Sequence, residues 1–322
     1  MAAKSISVSS MPRSPDTLAL SPVAAPVVAL MVDGLDWHAR RLSQALRGRG
    51  AIPVTARLPD CRFDTRHPAG LAIAGCDRLP DAVLVRTMSG GSFEAVTLRL
   101  GLLHALGELG VLVWNSARAI ERCVDKSTTS FLLARAGIPT PATWAMESPA
   151  AARALVAAEI AHGPLVLKPL FGSQGRGLRL IRSPDDLPPA EAVAGVYYLQ
   201  RYVAIERDGF HDFRLFVSNG RVVAAMMRHA PHWITNVKRG GRPLAVVPDG
   251  TMKDLAVRAA AAVGAAFAGV DILNGSEGMT VLEVNSMPAW SGLQKVTPVD
   301  VAGVLVGDLM AALARRRQEA SG

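Results

Sequence analysis

The sequence predicts a small α/β lobe followed by a larger α+β unit built from two halves. Three observations carry this. Apolar strand-like runs alternate with helix-like runs between residues 27 and 115. After Asn115 the pattern turns to short helices, turn-rich loops and strand-dominated hairpins. The chain has 322 residues, half of them hydrophobic, enough for two or three lobes.

Residues 1–26, rich in Ser, Pro and Ala, are expected to be a disordered tail. VVALMV (27–32) reads as a strand, 35–50 as a helix ending at glycine, AIPVTA as a second strand and AVLVR (82–86) as a third. FEAVTLRLGLLHALGELG (93–110) reads as a strongly amphipathic helix before strand VLVW (111–114). Such alternation predicts a largely parallel sheet. Helices at 116–122 and 125–136 lead through turn-rich GIPTPATW to the strands around 166–181. From YYLQRYV (197–203) strands dominate, and HDFRLFVSNGRVVAAMMRHA reads as a hairpin about Asn219-Gly220. A helix at 251–266, two more strands and a last helix at 299–316 complete the order. The expected division is 27–116, then 117–316 in halves 117–198 and 199–316, with a short tail at 317–322.

Composition narrows the function. Pro22 and Pro26 interrupt the best apolar run, LALSPVAAPVVALMV, short of the ~20 residues of a membrane span, and it lacks the pattern of a secretory signal. A cytoplasmic protein with no membrane partner is expected. The three cysteines share no metal spacing and read as reduced thiols. A net charge of +8 fits polyanionic ligands, but scattered basic groups and 5% aromatics argue against a base-stacking nucleic-acid surface. His229 and His232 flank Pro231 without a third ligand, so zinc is not expected. No G-x-S-x-G elbow or G-x-G-x-x-G after the first strand is present.

Two stretches carry chemistry. In VLKPLFGSQGRGLRLI (166–181), Lys168 ends a strand and Gly172, Gly175 and Gly177 precede another. A P-loop places its lysine after the glycines and opens a helix; here the order is reversed and the exit is β-like, so the loop joins antiparallel strands. Glycine removes the Cβ that would bar backbone N–H groups from phosphate oxygens, and the lysine adds a point charge. An ordinary mobile hairpin is the alternative.

In GVDILNGSEGMTVLEVN (269–285), a turn centred on Glu277 sets Asp271 opposite Glu283, with Asn285 on the same face as Glu283. Facing carboxylates repel unless a cation lies between them, and Mg²⁺ typically takes one or two carboxylates together with substrate phosphates. Neutralisation by a lysine, or an acid turned to solvent, is the alternative. Together the stretches point to Mg-ATP. The run TNVKRGGRP (235–243), with Lys238, Arg239 and Arg242, reads either as a clamp for phosphate or carboxylate or as a solvated basic loop.

From about Phe93 to Val306 the chain resembles the RimK-type α-L-glutamate ligases of the ATP-grasp superfamily. FEAVTLRLGLLHALGELGVLVWNSARAIERCVDKSTTSFLLARAGIPTPATW and DIL…LEVNS…GLQKVTPVDVAG carry the likeness. The resemblance implies an ATP-grasp fold holding ATP between two α+β halves, behind a pre-ATP-grasp α/β lobe. By this likeness Lys126 and Lys168 touch phosphates, and the loop Gly172, Ser173, Gln174, Gly175 and Gly177 closes over them. The hinge LQRYV, with Arg201 and Tyr202, meets adenine through its backbone. Asp212 and Ile234-Thr235-Asn236 complete the nucleotide site, and Asp271, Glu283 and Asn285 bind two Mg²⁺ or Mn²⁺ ions. Arg201 stands where an acid is usual, Ile234 where arginine is common, and NSMPAW replaces Asn-Ser-Ser-Pro-Gly.

The implied reaction is ATP-dependent addition of L-glutamate to an acceptor carboxylate through an acyl phosphate, by a homo-oligomer. Arg214, Arg228 and Arg239 are candidates for holding substrate carboxylates. The acceptor reads as a pterin-type coenzyme, with a protein C-terminus or a non-catalytic ATP-binding role as alternatives. Trp290 could stack on a flat ring or be a core residue.

Overall fold

A computed structural model describes residues 24–172, 175–205 and 209–320. The expected tail lies outside these up to residue 23, as do Ser173 and Gln174. The first lobe runs β1 (Val27–Met31), α1 (Trp37–Arg47), β2 (Ile52–Ala56), β3 (Arg62–Phe63), β4 (Leu71–Ala72), β5 (Ala82–Val85), α2 (Phe93–Glu108) and β6 (Leu112–Trp114). Its sheet has the order β2-β1-β5-β6 and every pairing is parallel, as the alternation predicts. The β3–β4 ladder, two residues per strand, is too short to leave a periodic signal. Asp36 caps α1 by accepting from the Ala39 amide, and Ser92 caps α2 through that of Ala95. The expected strong amphipathicity of α2 is not found. Only Leu102, Leu103 and Leu106 are buried, while Phe93 and Leu98 are 81% and 49% exposed, because only the C-terminal half of the helix reaches the sheet.

The second segment comprises α3 (Ala117–Val124), α4 (Lys126–Arg135), β7 (Thr143–Met146), α5 (Pro149–Glu159), β8 (Leu165–Lys168), β9 (Arg179–Ile181) and β10 (Tyr197–Arg201). The strands form an antiparallel sheet, β7-β10-β8-β9. The sequence reading missed β7 and α5; α5 is alanine-rich, with Ala152 and Val156 fully buried beneath the sheet. The glycine stretch does join antiparallel strands, β8 and β9.

The third segment adds β11 (Phe210–Ser218), β12 (Arg221–Ala230), β13 (Arg242–Ala245), α6 (Gly250–Val263), β14 (Phe267–Gly275), β15 (Gly278–Asn285), α7 (Ser291–Gln294) and α8 (Val301–Glu319). Its five-stranded sheet runs β13-β12-β11-β14-β15, antiparallel throughout. Asn219 and Gly220, at φ 48° and 72°, form the expected tight turn. α8 runs on to Glu319, past its expected end at 316.

α8 returns to the first lobe. Arg41 pairs with Asp300 at 3.0 Å, and Arg49 donates to the Gly303 carbonyl at 2.7 Å. One apolar cluster therefore runs from Leu30, Leu42 and Leu84 through Phe216 and Trp290 to Leu305 and Leu309. Asn115 fastens the lobes further. Fully buried, its side chain donates to the carbonyls of Phe267 and Ser286 and accepts from the amides of Ala266 and Phe267, at 2.6–3.0 Å. The ends of β14 and β15 are thereby fixed against the first sheet.

Candidate active site

The glycine hairpin owes its shape to residues that tolerate left-handed backbone. Gly175 and Gly177 sit at φ 67° and 72°, where a side chain is strained. Space excludes one as well. A Cβ on Gly175 would lie 2.6 Å from Asn236 Oδ1 and 2.7 Å from Ile234 Cγ2, and one on Gly177 2.7 Å from Pro169 Cγ. Gly175 is thus packed onto the segment that the resemblance places in the nucleotide site. Arg239 donates to the Gly175 carbonyl at 3.2 Å, and Lys126 Nζ to the carbonyls of Gly172 and Leu170 at 2.9 and 3.3 Å. Gly175→Ala is expected to hold the loop away from Ile234 and Asn236 and to raise the KM for ATP about tenfold with little change in melting temperature. Steady-state ADP release against ATP concentration measures it.

Lys168, at the end of β8, hydrogen-bonds the side chain of Gln200 on β10, a residue 1% exposed that sequence reading did not single out. Burial lowers the Lys168 pKa to about 8 from its ordinary 10.5, against the pull of the Glu283 carboxylate. Burial also lowers that of Lys126, again opposed by Glu283. Both lysines therefore feel the same carboxylate without pairing with it.

The carboxylate hairpin is in the expected register, for a reason the sequence did not show. Its turn is Ser276-Glu277, with Gly275 paired to Gly278, half a residue away from the assumed centre. A bulge between Asp271 and Ile272 restores the register, so Asp271 faces Glu283 after all. The neutralising partners of Asp271 are arginines. Arg214, directly opposite on β11, donates through Nε and Nη2 at 2.7 Å each, and Arg228 Nη2 adds a third contact at 2.8 Å. Arg228 also grips Asp212, its cross-strand neighbour, with Nε at 2.7 Å. Burial pushes the Asp271 carboxyl up, but the two guanidiniums outweigh it and hold it well below the usual range. Glu283, half-buried, makes no hydrogen bond or ion pair within 4 Å among the described residues.

Several expectations change accordingly. Arg228, 2% exposed, spends its fork on Asp212 and Asp271, and Arg214 spends two donors on Asp271, so both arginines balance protein charge where substrate carboxylates were expected. Asp212, 3% exposed, is paired with Arg228. Of the three candidate arginines, only Arg239 is exposed. The Arg201 guanidinium turns away to Glu159 and the Trp144 ring, which accounts for an arginine in the hinge. The amides of Arg201 and Tyr202 donate to the carbonyls of Ala142 and Pro164, at 2.8 and 3.1 Å, so both hinge N–H groups are engaged within the protein. Trp290 is fully buried against Trp37, His38 and Phe216, a core residue with no open face.

A model of the RimK-like ATP-grasp domain matches residues 123–309, which contain Lys126, Lys168, the glycine hairpin, Asp271, Glu283 and Asn285. The chain belongs to the RimK-like ATP-grasp family. A tetrahydromethanopterin:α-L-glutamate ligase of Methanosarcina acetivorans is 33% identical over 303 residues, covering 82% of this chain and 92% of that one. A ribosomal protein bS6–L-glutamate ligase of Salmonella paratyphi B is 32% identical over 291 residues, covering 87% and 94%. The ATP-grasp ligase PsnB, solved with a minimal precursor, Mg and ADP, superposes with a TM-score of 0.66 at 25% identity, covering 89% of this chain and 98% of PsnB. This RimK-like chain is accordingly an ATP-dependent ligase. None of its described helices is long and apolar enough to cross a membrane.

The family implies a divalent cation, and the oxygen set here fits one. Glu283 has both oxygens uncommitted. Asn285 has a buried amide nitrogen with no partner, and a flip of that amide presents its oxygen instead. Asp271 accepts three hydrogen bonds, leaving one of its roughly four acceptor sites. The charge balance points the same way. Arg214 and Arg228 cancel Asp212 and Asp271, which leaves Lys126 and Lys168, with Glu283 and Asp125 near them, as the cations open to a phosphate.

Proposed function

We propose that this ligase joins L-glutamate to an acceptor carboxylate, with a pterin-type coenzyme as the acceptor. One observation carries the reading: two lysines, the glycine hairpin that Lys126 bonds and an uncommitted carboxylate lie within electrostatic reach of one another, the arrangement a triphosphate and a divalent ion require. Glu283, Asn285 and the remaining acceptor site of Asp271 would hold Mg²⁺, which supplies charge neutralisation along the phosphates. The reading extends to a second ion, to Mn²⁺ as a substitute, to a cytoplasmic setting and to a homo-oligomer.

Lys126 and Lys168 draw charge from the β- and γ-phosphates as the acceptor carboxylate oxygen attacks the γ-phosphorus and the bond to ADP breaks. The acyl phosphate then loses phosphate as the glutamate α-amine forms the amide and gives up its proton. The hairpin keeps water from the activated acyl group, held down by Arg239 and Lys126. No protein nucleophile is needed.

Support for the pterin comes from the methanogen relatives, named as tetrahydromethanopterin ligases. A protein C-terminus is the second reading, favoured by the almost equal identity to the bS6 ligase. Incubation with ATP, isotopically labelled L-glutamate and cell extract, followed by mass spectrometry, separates them. A labelled small molecule with an absorbing ring is expected. Label only on a protein overturns the pterin, and no label transfer with any fraction overturns the ligation of glutamate.

A further inference from the structure

Arg86 closes β5 at the C-terminal edge of the parallel sheet, the edge at which open α/β sheets bind ligands. It is 7% exposed, yet no carboxylate lies within 4 Å among the described residues. Its guanidinium donates to the Met287 carbonyl at 3.2 Å and lies over the Trp290 ring, 5.3 Å from the centroid, while Nε is buried without a partner. Removing a cation from water without a counter-charge costs several kcal/mol, and the one other buried arginine among the described residues, Arg228, has two carboxylates. Burial lowers the pKa of Arg86, and only the more distant Asp36 and Asp33 oppose this. A second cation stands near: the exposed Lys238 follows Val237, whose side chain lies against Gly292, two residues beyond the Trp290 that Arg86 covers.

The position relates this charge to the reaction. Met287 follows Asn285 by two residues, at most ~7 Å of chain. Pro288 lies against Gly269, whose other neighbour is the Arg214 side chain. Arg86 is thus one short step from the floor where the acceptor carboxylate would be activated.

We propose that Arg86, assisted by Lys238, binds a second anionic group of the acceptor, so that the acceptor ends in a dianionic unit with its two negative groups a few ångströms apart. This deepens the ligase reading and rests on it. The reacting carboxylate lies by Lys168 and Glu283, and its companion satisfies the spare guanidinium donors. A charged hydrogen bond contributes ~1.5–3 kcal/mol, so a dicarboxylate should bind at least about tenfold tighter than its monocarboxylate counterpart.

The test uses the full chain with Mg²⁺ and a nonhydrolysable ATP analogue. Calorimetry first measures nucleotide affinity and then that of two probes, glutarate and butyrate. Wild type is expected to prefer glutarate at least about tenfold. Arg86→Met, which breaks no ion pair, should melt no lower than wild type, bind nucleotide equally and lose the preference. Arg86→Lys should recover part of it. Equal binding of the probes by wild type, or binding of neither, overturns the proposal, as does an undiminished preference in Arg86→Met. Failure of the nucleotide titration would instead defeat the ligase reading, and is read before any dicarboxylate is added.

Discussion

Glu283→Ala is expected to lower the rate of ADP release at least about a hundredfold, near 3 kcal/mol of transition-state stabilisation, while the protein melts within a few degrees of wild type. The two halves of this expectation have one cause. Glu283 lies within electrostatic reach of Lys126 and Lys168, yet among the described residues it forms no hydrogen bond or ion pair within 4 Å, so its removal breaks no such contact. A half-buried carboxylate left uncommitted beside two lysines is useful only to something that arrives with positive charge and oxygen-seeking chemistry. Loss of Glu283 also removes the group that supports the charged forms of Lys126 and Lys168, so phosphate binding weakens too. Glutamine in its place keeps the volume and one ligand oxygen, and more Mg²⁺ should restore part of its activity. ADP release at several Mg²⁺ concentrations, with thermal melts of each variant, measures both halves. Near-normal turnover in a folded Glu283→Ala protein sinks the metal assignment.

What was legible in the sequence follows from which interactions are local. Strand and helix order came from apolar periodicity, and the hairpin at Asn219-Gly220 from turn chemistry, because both are written in consecutive residues. The facing of Asp271 and Glu283 was reached from a turn centre slightly misplaced, and a bulge compensated. The arginine clamp had a usable signal that went unread. A hairpin turning at Asn219-Gly220 sets Arg228 close to opposite Asp212, a charge pair placed by register alone. Arg214 facing Asp271 had none, because it needs the order of β11 beside β14, a choice made by tertiary packing. Trp290 and Arg86 lie in different lobes, and their stacking depends on α8 and the 287–290 turn docking against the first sheet. Helix α5 was lost to its alanines, which read as neither face until buried beneath a sheet.

Lys168→Met is expected to raise stability and abolish nucleotide binding in the same protein. Lys168 lacks a carboxylate within 4 Å among the described residues; its hydrogen bond goes to the neutral Gln200. With its pKa at about 8 rather than 10.5, the folded state below pH 8 carries a charge it would rather lose, a cost with a ceiling of about 3 kcal/mol at ~1.4 kcal/mol per tenfold. Partial exposure and the donor that Gln200 would lose reduce the net gain to about 1–2 kcal/mol. The pH dependence fixes the cause. A lysine with a depressed folded pKa destabilises fully below that pKa, and the penalty fades as pH rises toward the unfolded value. The gain from methionine should therefore be complete at pH 7 and gone near pH 10.5. ATP affinity should fall beyond detection at every pH, because the charge that burdens the empty protein is the one a triphosphate neutralises. Melts from pH 7 to 10.5, beside ATP titrations at the same pH values, give both readings. A variant no more stable than wild type would mean that Gln200 already stabilises the charge in full, and the lysine would then be part of the scaffold rather than held ready for phosphate.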